Sequence, residues 1–187
     1  MNRNYGNNSR YSNNFSYGQN ALQPIYPVAG IPVADKYAIT RLKREVSFTV
    51  HLELSILPSQ VSTVDLAAEL YKDDYFNQLI AMSRTVFCKY IRIIAKPYKE
   101  SSGVQYALSV SEKDIGGIQN LKEEKHTLYK KAPEEINYSF ETYAKKVETK
   151  GQQLDLKRKL YLSNLDAERV VKVLVGIEFA CIFAFDN

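Results

Sequence analysis

The chain has 187 residues, 45% of them hydrophobic, and a formal net charge of +4. That length suits one domain with a real core, and so mild a charge neither demands nor excludes a polyanionic partner. The opening Met1-Asn-Arg-Asn-Tyr has no apolar stretch of signal-peptide type, and no run reaches the ~18 apolar residues of a membrane span. The expectation is therefore a soluble protein without a membrane partner, kept in a reducing space or released by lysis. Cys88 and Cys181 both lie in apolar strand-like runs and read as buried free thiols rather than a disulfide framework.

Residues Met1 to Asn20 form a low-complexity stretch of Asn, Ser, Tyr and Gly. It has no aliphatic periodicity, and its composition is that of a disordered arm. Tyr5, Tyr11, Phe15 and Tyr17 are spaced along it, with Arg3 and Arg10 as its only charges. It reads either as a solvated tail or as an adhesive arm that stacks on bases or knits subunits together. Leu22 to Pro32 holds Pro24, Pro27, Gly30 and Pro32, the chemistry of an extended linker laid over a surface. The organisation expected is an arm and linker over residues 1–35 and a folded domain over 36–187.

Tyr37 to Leu42 has the pattern of a short strand. Val46 to Leu54 alternates without a fault: Val46, Phe48, Val50, Leu52 and Leu54 against Ser47, Thr49, His51, Glu53 and Ser55. Pro58 ends it. Ser62 to Ser83 is the helical region, with Ser62 or Thr63 expected to cap a first helix and Asp73 or Asp74 a second. In the second helix Phe76, Leu79, Ile80 and Ser83 share a face. Val86 to Ala95 returns to strand chemistry, with Phe87, Lys89, Ile91 and Ile93 expected on one face and Cys88, Tyr90, Arg92 and Ile94 on the other. Pro97 closes it.

Val104 to Val110 alternates through Tyr106 and Leu108 against Gln105, Ala107 and Ser109. Asp114-Ile115-Gly116-Gly117 is turn chemistry. Lys125 to Lys130 and Ile136 to Tyr143 carry weaker strand patterns, split by Ala132-Pro133-Glu134-Glu135. Ala144 to Lys159 reads as a long polar loop. Lys159 to Leu162 restarts an apolar pattern, and Asn164-Leu165-Asp166 turns the chain.

The last stretch organises the rest. From Val171 to Phe185 every odd position is Val, Ile, Phe or Cys. That period of two demands a buried strand with a neighbour on each side and a second sheet across from it. It exceeds the usual three to ten residues, and Gly176 is the expected site of a bend or bulge. Strands arrive in a run rather than alternating with helices, which argues against a parallel α/β sheet. The expected class is all-β: an antiparallel eight-stranded jelly-roll sandwich with one helical insert.

No catalytic or metal-binding set emerges. His51 and His126 are the only histidines and lack partners at zinc-ligand spacing. Gly116-Gly117 fits no phosphate-cradling motif. Asp73-Asp74 reads as a helix cap before a calcium ligand pair. The expectation is a non-enzyme without cofactor or metal.

The order of elements resembles the single jelly-roll capsid (coat) proteins of small icosahedral viruses and satellite viruses. The resemblance rests on the arm, then Phe48-Thr-Val-His-Leu-Glu-Leu, the helical Tyr75-Phe-Asn-Gln-Leu-Ile-Ala-Met-Ser, the strand Phe87-Cys-Lys-Tyr-Ile-Arg-Ile-Ile-Ala-Lys-Pro and the long closing strand. It implies a virion protein that forms a homo-oligomeric icosahedral shell around viral RNA or DNA. Such arms are commonly rich in Arg and Lys, which displace counterions from packaged phosphates. This one has only Arg3 and Arg10. Lys36, Arg41, Lys43 and Arg44, where the arm meets the body, are the further candidate nucleic-acid contacts, with a solvated strand end as the other reading. Lys145, Lys146, Lys150, Lys157, Arg158 and Lys159 form a second basic set, interspersed with acids and read as a solvated loop. Two other functions fit the sequence: an accessory protein that binds single-stranded nucleic acid without forming a shell, and an enzyme on a β-sandwich scaffold.

Overall fold

Alternation of apolar and polar residues becomes ten strands and three short helices in the computed structural model, which describes residues 23–25, 41–142, 144–147 and 153–186. The low-complexity arm and residues 37–40 of the first expected strand lie outside them. In chain order the strands and helices are β1 Gln23–Ile25, β2 Arg41–Ile56, β3 Val61–Asp65, α1 Leu66–Leu70, α2 Asp74–Met82, β4 Thr85–Pro97, β5 Gln105–Ser111 and α3 Ile118–Glu123. There follow β6 Leu128–Lys131, β7 Ile136–Glu141, β8 Lys145–Val147, β9 Lys159–Asn164 and β10 Val171–Asp186.

Two antiparallel sheets face each other. One has the order β1-β2-β10-β4-β7, with β8 also on β4; the other has the order β3-β9-β5-β6. From β2 to β5 and from β8 to β10 the chain crosses between the sheets at each step, and β5 and β6 form a hairpin within one sheet, so β2, β10, β4 and β7/β8 lie opposite β3, β9, β5 and β6. That is an eight-stranded jelly roll, the expected class, with β1 added at one edge.

The central strand is β10. It pairs with β2 along its whole length and with β4 over Val173 to Ala184. Its odd residues from Val171 to Phe183 are fully buried. Each such side chain contributes about 1.5–3 kcal/mol by leaving water. The even face is partly covered too, with Ala180 buried and Glu178 and Ile182 half-buried. Across the core stand Tyr106, Leu108 and Val110 of β5 and Leu160 and Leu162 of β9.

The bulge expected at Gly176 lies elsewhere. Gly176 is in plain register between His51 and Ile94. The register shifts four residues further on, where Ala180 faces Tyr90 but Cys181 faces Cys88. Lys89 is thus the extra residue, in β4. An inserted residue flips the alternation. Val86 and Cys88 point inward before it, and Ile91, Ile93 and Ala95 after it. The expected faces of β4 were therefore wrong for Phe87 and Cys88 relative to Ile91 and Ile93. The neighbouring strand breaks at the same level: β7 ends at Glu141, β8 starts at Lys145, and Thr142 N–H donates to Lys89 O at 2.9 Å between them. Cys88 and Cys181 are free, buried register partners, and the Cys181 thiol is held well above its ordinary pKa by its contact with Cys88 and by burial.

The helical insert consists of two short helices. Asp73 caps α2 as expected, its Oδ1 accepting from Phe76 N–H at 2.8 Å. The cap of α1 is Asp65, not Ser62 or Thr63, with Ala68 N–H to Oδ1 at 3.0 Å. Ser62 and Thr63 are instead in β3, paired with Leu162 and Tyr161. The apolar face of α2 closes one end of the sandwich: the Phe76 ring lies edge-on to Phe48 at 5.3 Å, to Tyr71 at 5.2 Å and to Phe183 at 5.9 Å.

Two further corrections concern loops. Lys145–Val147, expected to be loop, is strand β8. The turn at Asp114–Gly117 leads into α3, which sequence reading missed. Residues around α3 cover the outer side of β5, so Ala107 packs with Ile115, Leu121 and Tyr161 and nearly the whole strand is buried on both faces.

Candidate nucleic-acid interface

Strand geometry divides the expected basic set. Arg3, Arg10 and Lys36 lie outside the described residues. Arg41, Lys43 and Arg44 are all on β2, the first two pairing in register with Ile25 and Gln23 of β1. Successive side chains on a strand point to opposite faces. Lys43 shares a register position with Ala184, on the outer face of the sheet, and Arg44 with Phe183, on the core side. Both are exposed. Arg44 does not enter the core. Its guanidinium lies 5.8 Å from the ring centroid of Tyr75 at the start of α2, a cation–π distance. Tyr75 itself is 42% exposed, so this stacked pair is open to solvent. The helix cap at Asp73 and the anchoring of Phe76 fix where Tyr75 stands. The insert therefore positions one of the candidate contacts, a link the sequence reading did not make. No local spacing connects Arg44 with Tyr75, so no signal in the sequence could have shown it.

The outer face of the six-stranded sheet carries more basic residues than those expected. Lys89, Arg92 and Lys96 of β4 and Lys172 of β10 are all exposed there. Arg92 and Lys96 share a parity along one strand, a signal that was legible. Acids accompany them. Lys89 pairs with Glu45 at 3.7 Å, and Arg92 is the register partner of Glu178. The face has mixed charge, not a uniform basic field, and exposed pairs of this kind add little energy.

In the second basic set Arg158 and Lys159 are held in ion pairs, and the backbone N–H of Lys157 donates to Asp155 Oδ1 at 2.9 Å. Lys159 Nζ lies 2.8 Å from Asp114, and Arg158 lies 3.7 Å from Glu112 while its guanidinium sits 5.0 Å from the centroid of Phe140. Lys159 holds the Asp114 carboxyl below its ordinary pKa through a hydrogen bond and charge attraction. Lys150 lies outside the described residues, and only the backbone placement of Lys145 and Lys146 in β8 is described.

His51 and His126 are exposed and far apart in sequence. Among the described residues no group of three or more His, Cys, Asp or Glu could hold a metal ion, and no helix is long and apolar enough to cross a membrane. The described clefts are shallow. One of about 400 Å³ is lined by Gln105, Tyr129, Lys130, Lys131, Glu134 and Leu165, with Lys130 already paired to Glu134 at 2.9 Å.

The fold places the chain among jelly-roll sandwiches. Similar solved structures are of Desmodium yellow mottle tymovirus, at a TM-score of 0.52 and 14% identity over 89% of this chain and 95% of that one. Others are the 60-mer of the BFDV capsid protein, at 0.53 and 8% over 75% and 93%, and Cocksfoot mottle virus, at 0.55 and 5% over 78% and 96%. At such identities the likeness is one of fold. No protein-family model matches the chain. No curated protein matches it by sequence.

Proposed function

We propose that this chain is the coat subunit of a small icosahedral virus or satellite virus, a structural protein of the virion and not an enzyme. Copies tile into a closed shell around viral RNA or DNA, with residues 1–35 as arm and linker and 36–187 as the shell domain. The observation that supports the reading is the likeness of this two-sheet fold to virus and capsid-protein structures over nearly the whole length of those chains, the BFDV capsid protein 60-mer among them. Closed symmetry suits such a subunit, because one modest interface repeated many times yields a stable particle. The exposed Arg44–Tyr75 stack, Lys43, Arg41 and Lys36, together with Arg3 and Arg10 of the arm, supply phosphate contacts and a surface for base stacking without sequence readout.

Sedimentation and negative-stain microscopy of the purified full chain test this. Closed particles far heavier than a monomer, with an absorbance ratio reporting nucleic acid inside, are expected. A stable monomer at high concentration with nucleic acid supplied would overturn the reading. A salt-sensitive complex that never forms particles would point instead to an accessory single-strand-binding protein.

A further inference from the structure

The outer edge of β2 is covered over only three residues. Gln23, Pro24 and Ile25 pair antiparallel with Lys43, Leu42 and Arg41. From Arg44 to Ile56 no other strand among the described residues pairs with that edge. The flank of the sandwich is open there. Val46, Val50, Leu52 and Leu54 point inward yet are only half-buried, while their partners on β10, Cys181, Ile177, Val175 and Val173, are 0% exposed. An uncovered edge of this length is a template for another extended chain.

We propose that this edge is a docking site for the chain's own residues 10–22, which extend β1 along β2 without a break in register. The argument is continuity with a pairing already made. Each step back along β1 is one step forward along β2, from Ile25 opposite Arg41 to Gln23 opposite Lys43. The same rule sets Leu22 opposite Arg44 and Arg10 opposite Ile56. Residues 10–22 are therefore long enough to cover the whole of the uncovered edge, from Arg44 to Ile56. The rule also fixes faces, since side chains alternate. Every aromatic residue of the arm is at an odd position: Tyr5, Tyr11, Phe15 and Tyr17. Three of them fall opposite Ser55, His51 and Thr49, all exposed on the outer, polar face of the sheet. The arm then seals an edge that would otherwise recruit foreign strands, and it sets a row of aromatic rings on the face that carries Lys43, Arg92 and Lys96. The inference does not depend on shell formation.

Cysteine cross-linking in the full chain at low concentration tests it. Cys88 and Cys181 are buried and stay silent. Tyr17→Cys with Thr49→Cys sets the thiols opposite one another, within the Cα separation a disulfide spans. Ser12→Cys with Thr49→Cys keeps the same arm and tether but displaces the thiol by five residues, about 17 Å along a strand. An intramolecular disulfide forming about tenfold faster in the first variant than in the second is expected, because docking raises the local concentration of one pair alone. Equal rates overturn the proposal. A disulfide-linked dimer as the main product, on mixing Tyr17→Cys chains with Thr49→Cys chains, assigns the edge to a second copy's arm and also overturns it. Amide exchange in the unaltered protein gives a second reading: the β2 amides that point away from β10 exchange slowly if the arm is docked, and at the rate of open strand edges if it is not.

Discussion

One buried amide joins three segments of the chain. Asn164, 0% exposed, donates through Nδ2 to Ile56 O at 2.9 Å and to Arg169 O at 2.6 Å, and its Oδ1 accepts from Asp166 N–H at 3.0 Å. Asp166 then organises the next turn. Its carboxylate accepts from the backbone of Glu168 and Arg169 and from the Arg169 side chain. Those bonds lower its pKa from an ordinary 3.8 to about 2. The folded value is below the unfolded one, so the stabilisation is complete above about pH 5 and is lost as pH falls toward 2. Asp114 is lowered as well, and its contribution also fades on acidification, so the useful quantity is the difference between parent and variant. Urea midpoints measured from pH 5 to pH 2 should fall less steeply for Asp166→Asn than for the parent. Equal slopes would mean that the turn does not hold its carboxylate this way. The sequence did announce a turn at Asn164-Leu165-Asp166. It could not show that the asparagine faces inward and bonds to the end of β2. In the same way Ser62 and Thr63 are good capping residues, but β3 claims them for pairing with β9, and the next acid in line, Asp65, takes the cap.

At the scale of the element, alternation decided what could be read. β2 from Val46 to Ile56 and β10 from Val171 to Phe185 keep one face apolar without interruption, so their existence and phase were plain. β4 also looked regular, yet one residue of bulge reversed its phase. Lys89 has no chemical mark of a bulge, and the apolar residues on both sides of it leave two phases open. α3 is six residues long and β8 three, too short for any period to show. Gly176 was taken for the irregular point because glycine is rare within strands. It sits in regular pairing, and a Cβ placed there would meet His51 Cδ2 at 3.7 Å, an ordinary contact. Gly176→Ala should therefore stabilise the protein by about 0.5–1 kcal/mol, the usual penalty of glycine within a strand. A lowered thermal midpoint would show that the strand needs the glycine after all. Gly103 is the contrasting case. Its φ of +85° follows Ser102 at φ −51° and ψ 133°, and Val104 N–H donates to Ser101 O at 3.0 Å. That is a type II turn, whose third residue favours glycine.

For the whole molecule, the two-sheet architecture was legible because the central strand required it. The candidate interface was legible only as a list of charges. Which of them share a face depends on where β2 begins and which of its faces is outer, and the stack of Arg44 on Tyr75 depends on the fold of the insert. If these groups contact phosphate, each neutralised charge releases counterions. Replacing Lys43 or Arg44 by Ala should then reduce the slope of log affinity against log salt for a labelled single-stranded oligonucleotide by about 0.7 each. An unchanged slope would remove that residue from the interface.

The place of β10 between β2 and β4 also sets a schedule for folding. Those two strands do not pair with each other, and the strand that bridges them is made long after both. A nascent chain that has not reached Val171 has its aromatic cluster without Phe183, and two long apolar strands without a shared neighbour. Contacts so distant in sequence form slowly. The hydrophobic strands β2 and β4 thus wait for β10 while the chain between them is made, and this interval is when chaperones would matter most to its yield.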